Sequence, residues 1–408
     1  MFTLLKRVYA LLDPRRRKQY FGLQLLFIFT ALIQVAGVAS VAPFVALVSN
    51  PEFIHDNAAA SYVYASLGFE SDRAFLVAFA IAVIAFIIFS NAVGALTIWF
   101  TVSFAQNFGV ELQGALYRNY IYKDYIYHSK HNSSDMIAMI GQEAPRFIYM
   151  VMQPMLALLS QLVVIVLISV GLLVIDPMLA LLAILIIGGG YLLVFRFVKL
   201  RLSYHGDRIF STIASRLRQL TESLGGIKEV KLLATEKKYE EKIGGKNKII
   251  ARSNAVLATL GDGPRFAMET LAFCALLGLA IYLLLHEDSP AKVVPILSLY
   301  TIAGYKLLPS AQIIFKAFAD IRANRSALDN LFPLVLEGRR IVEADAQVSA
   351  APAIALGDIR CNDLCYTYPD APAPALRNVN LTIKLNTLVA FAGSSGAGKS
   401  TLADILLG

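Results

Sequence analysis

Charged side chains are scarce in this sequence of 408 residues, where Asp, Glu, Lys and Arg together make up only 16%. A soluble domain carries about 25% charged and roughly 45–50% apolar residues, whereas 57% of this chain is hydrophobic. The scarcity argues against an ordinary soluble domain and predicts a membrane protein. The formal net charge is +8, but the basic residues fall in the gaps between apolar segments. We therefore expect no nucleic-acid partner.

Cysteine is also rare, since the chain has only three: Cys274 in an apolar run, and Cys361 and Cys365 near the C-terminus. An odd number without the spacing of metal ligands argues against a disulfide framework and a zinc site. We expect reduced thiols with no chemical role. We expect no secretory signal peptide either, because the basic start precedes an apolar stretch much longer than a signal core of roughly 7–15 residues.

Long apolar runs, by contrast, fill the first three quarters of the chain. A helix that spans a bilayer needs about 20 mostly apolar residues, and several runs qualify. The predicted spans cover residues 20–48, 74–104, 155–175, 178–197, 266–285 and 293–317. The turn pair Asp176-Pro177 separates the third span from the fourth and predicts a helical hairpin. The expected fold class is therefore an α-helical membrane protein, followed by the start of a smaller domain.

The loops between these spans differ in charge, which predicts their orientation. Lys and Arg crowd the N-terminus and the two long loops, 103–153 and 199–265, whereas acidic residues prevail in 51–73 and 286–292. Because an excess of Lys and Arg marks the cytoplasmic side, we expect both termini and both long loops in the cytoplasm.

The two long loops have a helix-favouring composition and few breakers, so they predict helical extensions of the spans into the cytoplasm. Each pair of extensions would turn near 131–147 and near 224–243. These turns are either short helices that dock on a cytoplasmic domain or simply solvated charged helices.

The composition changes after Phe332, and this change predicts a domain boundary. We expect a membrane domain over residues 1–332, a linker over 333–353 and a small α/β segment over 354–408. Short runs with β-like alternation occur in the last segment. They are "IALGDIRCNDLCYTY", "NVNLTIKL" and "TLVAFAG".

The stretch "GSSGAGKS", Gly393 to Ser400, matches the pattern G-x-x-x-x-G-K-[ST] of a phosphate-binding loop. The expected context is a strand over Leu388–Ala392 and a helix over Lys399–Leu407. Glycines let backbone N–H groups curl around phosphate oxygens, and a helix N-terminus adds positive potential. Lys399 would reach the β- and γ-phosphates of ATP, and the Ser400 hydroxyl would ligate Mg²⁺. The candidate nucleotide-binding residues are Gly393, Ser394, Ser395, Gly396, Ala397, Gly398, Lys399, Ser400 and Thr401.

Six spans with long helical loops, followed by a phosphate-binding loop, resemble an ABC exporter half-transporter. Within that group, the stretches "VASVAPFVALVS", "MIGQEAPRF", "GGIKEVKLL", "GPRFAMETLAF" and "LCYTYPD" are similar to bacterial lipid-linked oligosaccharide flippases. The resemblance implies a homodimer in the bacterial inner membrane, with ATP and Mg²⁺ as cofactors and a membrane lipid or lipid-linked glycan as substrate. A peptide or protein exporter is the alternative. The resemblance also implies that Tyr368 stacks on adenine, although an aromatic residue at a strand end is more often part of a core.

Polar residues within the spans are candidates for a substrate cavity, because such residues are costly in a membrane. The candidates are Arg265, Glu269, Lys306, Tyr305 and Gln34. Arg265 and Glu269 lie four residues apart, so they share a helix face and can pair. We interpret these residues as the wall of a hydrated, partly basic cavity for a pyrophosphate-bearing head group. In the alternative, Arg265 simply pairs with Glu269 and Lys306 snorkels to the interface.

Hydrolysis of ATP needs more than a phosphate-binding loop. The resemblance implies a second Mg²⁺-binding Asp, a Glu that positions water, a signature loop and a switch His, all downstream of the loop. No LSGGQ-like run occurs in the sequence. We therefore expect an ATP-binding domain cut short just after its loop. In a second hypothesis, of a different class, the chain is a membrane partner that does not hydrolyse ATP, binds nucleotide weakly and pairs with intact half-transporters.

Overall fold

The computed structural model describes residues 2–49, 53–69, 71–175, 177–286, 290–345, 357–368 and 371–407. The chain divides into two compact units, Met1–Glu343 and Ala344–Gly408. Among the described residues, the first unit is helical, and the second contains a two-stranded sheet and one helix. The expected fold class, a helical membrane protein followed by the start of an α/β domain, is thus confirmed.

The N-terminal part of the first unit is a series of helices of very different lengths. They are α1 (Phe2–Ala10), α2 (Pro14–Ala39), α3 (Val41–Ser49), α4 (Phe53–Asp56), α5 (Ala58–Ser66) and α6 (Asp72–Ile121). The predicted first span, 20–48, is divided between α2 and α3 by a turn at Ser40. The Ser40 hydroxyl donates to the carbonyl oxygen of Gly37 at 2.8 Å, a local bond of the kind that bends helices. Ser71 caps α6, because its side chain accepts the N–H of Ala74.

The first long loop forms an interrupted helix rather than a regular one. Its elements are α7 (Tyr125–Lys130), α8 (Ser133–Ala138), α9 (Ala144–Phe147) and α10 (Gln153–Ile175), with π-helical segments at Met139–Glu143 and Ile148–Met152. Each π segment ends two residues before a proline, Pro145 or Pro154. Proline has no N–H and its ring crowds the carbonyl four residues earlier, so the helix widens at that point.

The rest of the first unit consists of long helices. They are α11 (Pro177–Gly225), α12 (Ile227–Leu232), α13 (Glu236–Asp262), α14 (Pro264–His286), α15 (Pro290–Ala323) and α16 (Arg325–Asp345). The backbones of α11 and α15 meet at Gly206, where an added Cβ would lie 1.7 Å from the carbonyl oxygen of Ala323. Only glycine fits such an approach. The expected linker begins inside α16, and its residues 346–353 lie outside the described residues.

Five helices in the described part of the chain are long and apolar enough to cross a membrane. They are Pro14–Gly37, Asp72–Ile121, Ser133–Ile175, Pro177–Gly225 and Glu236–Leu285. The sixth predicted span, 293–317, lies on α15, and the side chains of residues 290–296 are outside the described ones. That span stays a prediction.

The largest core of the first unit lies where α1, α2, α6, the π-helical region and α16 meet. Phe27, Phe108 and Phe147 are among its fully buried side chains. At about 25 cal/mol per Å² of apolar surface removed from water, aromatic side chains of this size contribute strongly to stability. This core joins helices that are far apart in the chain, so it fixes their positions relative to one another.

The second unit contains the strands β1 (Ile359–Tyr366) and β2 (Leu376–Ile383) and the helix α17 (Lys399–Leu407). The strands pair antiparallel, with Ile359 opposite Ile383 and Tyr366 opposite Leu376. Two of the three predicted β runs are therefore confirmed. The third is wrong, because Leu388–Ala392 forms no strand. A strand forms only where a neighbouring strand can accept and donate its backbone hydrogen bonds. In the described residues β1 and β2 pair with each other, and Leu388–Ala392 has no strand beside it.

Candidate functional site

The phosphate-binding loop has the backbone conformation that its glycines permit. Gly396 and Gly398 have φ angles of +83° and +85°, in the left-handed region where only glycine is unstrained. A Cβ at Gly398 would also lie 2.7 Å from Leu376 Cδ2 and 2.8 Å from the carbonyl oxygen of Ala375. The loop therefore packs against the start of β2, and α17 begins at the next residue.

Lys399 is held at this loop by two of the loop's own carbonyl groups. Its ammonium group donates to the carbonyl oxygen of Gly393 at 3.0 Å and to that of Ser394 at 2.7 Å. The first N–H groups of α17 have no partner within the helix, as in any helix. Ser400, in the first turn, is exposed.

These groups fit a phosphate-bearing ligand with a cation. Proteins bind phosphate through backbone N–H groups and positive charge. This site offers both: N–H groups at a helix N-terminus, a loop with two left-handed glycines, and an ammonium group. The accessible hydroxyl of Ser400 is a ligand of the type that Mg²⁺ prefers, an oxygen. The remaining candidates, Ser395 and Ala397, are exposed loop residues, and the N–H of Ala397 bonds the carbonyl of Ser394 at 3.3 Å.

Tyr368 lies beside the loop helix, joined to it by a side-chain hydrogen bond. Its hydroxyl is 3.2 Å from Thr401 Oγ1, and Thr401 is the buried residue of α17. The Tyr368 ring also meets the ring of Tyr366 edge-on, with centroids 5.1 Å apart. The ring is 36% exposed, so part of its surface is open to a ligand.

In the first unit, the candidate cavity residues do not lie together. Arg265 donates to the carboxylate of Glu269, as the spacing predicts. This pair lines a small cavity of about 100 Å³ with Tyr191, Pro309 and Gln312. Tyr305 is 77% exposed. Lys306 is half-buried on α15, and the described residues offer it no hydrogen-bond or ion-pair partner.

Gln34 lines a different and larger cavity, of about 640 Å³, which is bounded by α2, α6, α10 and α15. Asn91 and Gln161 line it as well, so amides from three helices converge there. A Cβ at Gly94 would lie 3.0 Å from Gln34 Nε2, so the Gln34 amide rests against the α6 backbone. The Thr30 and Thr97 hydroxyls are 2.7 Å apart and join α2 to α6.

Sequence reasoning missed the charged end of this cavity, which Lys316 and Asp320 line. Lys316 donates to Asp262 Oδ1 at 2.8 Å. Asp320 lies beyond the predicted span, and burial raises its pKa to about 6, with Asp262 adding to the effect and Lys316 opposing it. The one signal available was the spacing of four between Lys316 and Asp320, which places both on one helix face.

A second feature that sequence reasoning missed is a buried polar cluster around Arg146. Arg146 donates to Asn324 Oδ1 at 2.7 Å, to the carbonyl oxygen of Gly206 at 3.2 Å and to Glu143 at 3.3 Å. The Glu143 and Arg146 side chains are 3% and 11% exposed. This cluster ties the π-helical region of the first long loop to α11 and to the junction of α15 with α16.

Comparison with known proteins agrees with both units. Residues 22–302 match the family described as the ABC transporter transmembrane region, and residues 376–408 match the family described as ABC transporter. Proteins described as ATP-dependent lipid A-core flippases, from Shigella sonnei, Shigella flexneri and Escherichia coli strain K12, are 24% identical to the chain over 220 residues. The match covers 52% of this chain and 36% of each relative, about a third of the relatives' length.

The family match extends over more than half of the chain, and the apolar helices found in the structure lie mostly within it. The ATP-binding family of ABC transporters matches the segment that holds the glycine-rich loop, Lys399 and α17, although it covers a fragment of that domain. Together, these observations show that the chain belongs to the ABC transporter family, as a multi-pass transmembrane subunit of the exporter type.

Proposed function

We propose that the chain is a subunit of an ATP-driven flippase that moves an amphipathic lipid across the membrane. The proposed substrate class is a polyprenyl-pyrophosphate oligosaccharide, used in glycoconjugate assembly. The observation that carries this choice is the cavity of about 640 Å³ among α2, α6, α10 and α15. The similarity to proteins described as ATP-dependent lipid A-core flippases supports a lipid substrate.

The cavity offers polar groups that can bind sugar hydroxyls, beside apolar side chains such as Ile98 and Ile313. Its side-chain amides each offer N–H donors and a carbonyl acceptor. They are Gln34, Asn91, Gln153 and Gln161. A sugar hydroxyl is both a donor and an acceptor, so an amide-lined wall can satisfy several hydroxyls of one ligand. We further propose that Arg265, Glu269, Tyr305 and Lys306 contact the pyrophosphate or its lipid as the helices rearrange.

For the nucleotide, we propose that residues 393–401 hold the phosphates of ATP and that Tyr368 stacks on its adenine ring. Lys399 would bind phosphate oxygens, and Ser400 would hold Mg²⁺. When bound, ATP with Mg²⁺ supplies the free energy for the transport cycle. The left-handed glycines and the two carbonyl contacts of Lys399 support this assignment.

The assembly and the domain arrangement are part of the same proposal. Two copies of the chain form the transporter, in the inner membrane of a bacterium and with both termini in the cytoplasm. The membrane domain covers 1–332, the linker 333–353 and the ATP-binding segment 354–408. The turns near 131–147 and 224–243 transmit movements of the ATP-binding segment to the membrane helices.

Substrate binding to the full chain in nanodiscs tests the proposal without relying on hydrolysis. The probe is a fluorescent short-chain polyprenyl-pyrophosphate oligosaccharide. We expect the double variant Gln34→Ala/Gln161→Ala to bind it about 5- to 150-fold more weakly, since two hydrogen-bonding groups contribute roughly 0.5–1.5 kcal/mol each. Gln106→Ala removes an amide from α6 outside the cavity and should leave binding unchanged. Equal binding by all three proteins would contradict the proposal, and preferential binding of an apolar peptide would favour the peptide exporter.

A second candidate function is a membrane partner that does not hydrolyse ATP. It is favoured by the apolar surface of the second unit, where Leu388 is fully exposed and Leu407 is 88% exposed. ATP hydrolysis by the purified chain in lipid, compared with Lys399→Ala, separates the two candidates. Activity above that of the variant favours the flippase subunit, and equal background rates favour the partner.

A further inference from the structure

A third cavity, of about 480 Å³, lies on the first unit near the cytoplasmic ends of its helices. It is bounded by α1, by the part of α11 around the end of the fourth predicted span, and by the junction of α15 with α16. None of the residues that line it belongs to the amide-lined cavity of the proposed transport path. It is therefore a separate feature of the molecule.

The charge of this cavity is strongly positive. Four cationic side chains, Arg7, Lys199, Arg322 and Arg325, line it together with one anionic side chain, Asp329, for a net charge of +3. Asp329 forms salt bridges with Arg7 at 2.5 Å and with Arg325 at 3.5 Å. Lys199 and Arg322 have no ion-pair partner among the described residues. Both are half-buried, so their charges repel each other in a partly desolvated site unless an anion joins them.

The two unpaired cations, Lys199 and Arg322, lie at the depth of the lipid head groups. Lys199 follows the predicted end of the fourth span by two residues, and Arg322 follows that of the sixth by five. At about 1.5 Å per helical residue, they lie roughly 3 and 7 Å beyond the hydrocarbon core. Head groups occupy the next 5–7 Å or so on each side of a bilayer. A phosphate at this depth would meet both cations.

The remaining wall of the cavity is apolar. Phe195 and Phe318 line its membrane side, and Leu4 of α1 lines another. A free phosphate ion gains nothing from such a wall, whereas acyl chains lose contact with water there. Basic pockets between membrane helices on the cytoplasmic side are suited to phosphate-bearing lipids.

We propose that this cavity binds an anionic glycerophospholipid of the cytoplasmic leaflet, with its phosphate between Lys199 and Arg322 and its acyl chains along Phe195 and Phe318. The lipid is a bound component rather than the transported substrate. Because it bridges α1, α11 and α15, its binding stabilises their contact. The site does not depend on the proposed transport substrate, so either proposal can fail without the other.

Native mass spectrometry of the full chain in a zwitterionic detergent, titrated with dioleoyl-phosphatidylglycerol, tests the proposal. The variant Lys199→Gln/Arg322→Gln should bind this lipid about 30-fold more weakly, since each basic residue near a lipid surface contributes about a factor of five. Arg196→Gln/Arg201→Gln removes two charges from α11 outside the cavity and should bind as the wild type does. Lys199→Arg/Arg322→Lys keeps both charges and should retain most of the binding.

Two further titrations identify the ligand. Dioleoyl-phosphatidylcholine should bind far more weakly than phosphatidylglycerol to the wild type, and inorganic phosphate should not displace phosphatidylglycerol at millimolar concentration. Loss of binding in the control pair as large as in the cavity pair would overturn the proposal. So would equal retention of both lipids, or a wild type that binds phosphate but not phosphatidylglycerol. Circular dichroism of each variant, compared with that of the charge-keeping pair, separates loss of the site from loss of the fold.

Discussion

The two units of the chain differ most in how they bury side chains. The first has fully buried residues from many helices, among them Phe108, Phe147 and Met152. In the described part of the second unit, Leu376 and Thr401 are the residues below a tenth exposure. The first unit is thus held together by a core that joins distant parts of the chain. The loop geometry of the second rests on local features, namely two glycines, a short helix and one tyrosine hydrogen bond.

The largest effect should come from emptying the core of the first unit. Phe147→Ala should lower the free energy of unfolding of the full chain by about 4 kcal/mol, because it removes a fully buried aromatic ring and leaves a cavity. Phe197→Ala, on a ring that is 78% exposed, should change it by less than about 0.5 kcal/mol. Unfolding in sodium dodecyl sulfate followed by circular dichroism measures both. Equal losses of unfolding free energy in the two variants would contradict the view that this core contributes most to the stability of the first unit.

A somewhat smaller effect is expected from the buried ion pair. Arg146→Ala leaves the Glu143 carboxylate buried without its counter-charge, which costs about 3 kcal/mol of unfolding free energy. Adding Glu143→Gln to that variant should restore part of the loss. Arg218→Ala breaks the exposed pair with Asp135 and should cost less than about 1 kcal/mol. Similar losses for Arg146→Ala and Arg218→Ala in the same unfolding assay would show that the cluster does not join the helices as described.

For the second unit, the comparison predicts an effect on binding rather than on stability. Lys399→Ala should weaken binding of Mg²⁺-ATP about 30-fold, because it removes a charged hydrogen-bond donor that contributes about 2 kcal/mol. The unfolding of the first unit should not change. Lys384→Ala, outside the loop, is the matched control. Titration of the full chain with a fluorescent ATP analogue measures the affinities, and wild-type affinity in Lys399→Ala would rule out the loop as the binding site.

The smallest expected effect concerns the hydrogen bond between Tyr368 and Thr401. Tyr368→Phe removes this bond and should destabilise α17 locally by about 1 kcal/mol, so that its amides exchange about five-fold faster with deuterium. Tyr366→Phe alters the neighbouring ring, for which no hydroxyl contact is found among the described residues. Exchange measured by mass spectrometry should therefore be unchanged in that control. Identical exchange in both variants would mean that the hydroxyl contributes nothing to the helix.

Much of the fold follows from local patterns in the sequence. The apolar runs predict the membrane helices because burial in a bilayer demands about 20 apolar residues in a row, whatever the neighbours are. The Arg265–Glu269 pair follows from its spacing of four. The strand over Leu388–Ala392 did not form, because an apolar run predicts a strand only if a partner strand is beside it. The turn at Ser40 was also missed, since a single hydroxyl bond to Gly37 leaves no periodic signal.

By itself, then, the sequence determines the class of the protein, its long helices and the phosphate-binding loop, because each depends on residues that are close together in the chain. The tertiary structure decides which polar groups meet. Gln34, Asn91 and Gln161 come from three helices to one cavity, while Arg265 and Gln34 line separate ones. Arg146 reaches Gly206 and Asn324, and Lys199 shares a cavity with Arg322. These contacts depend on how helices that are far apart in the chain pack together. The spacing of residues along one helix does not predict that packing.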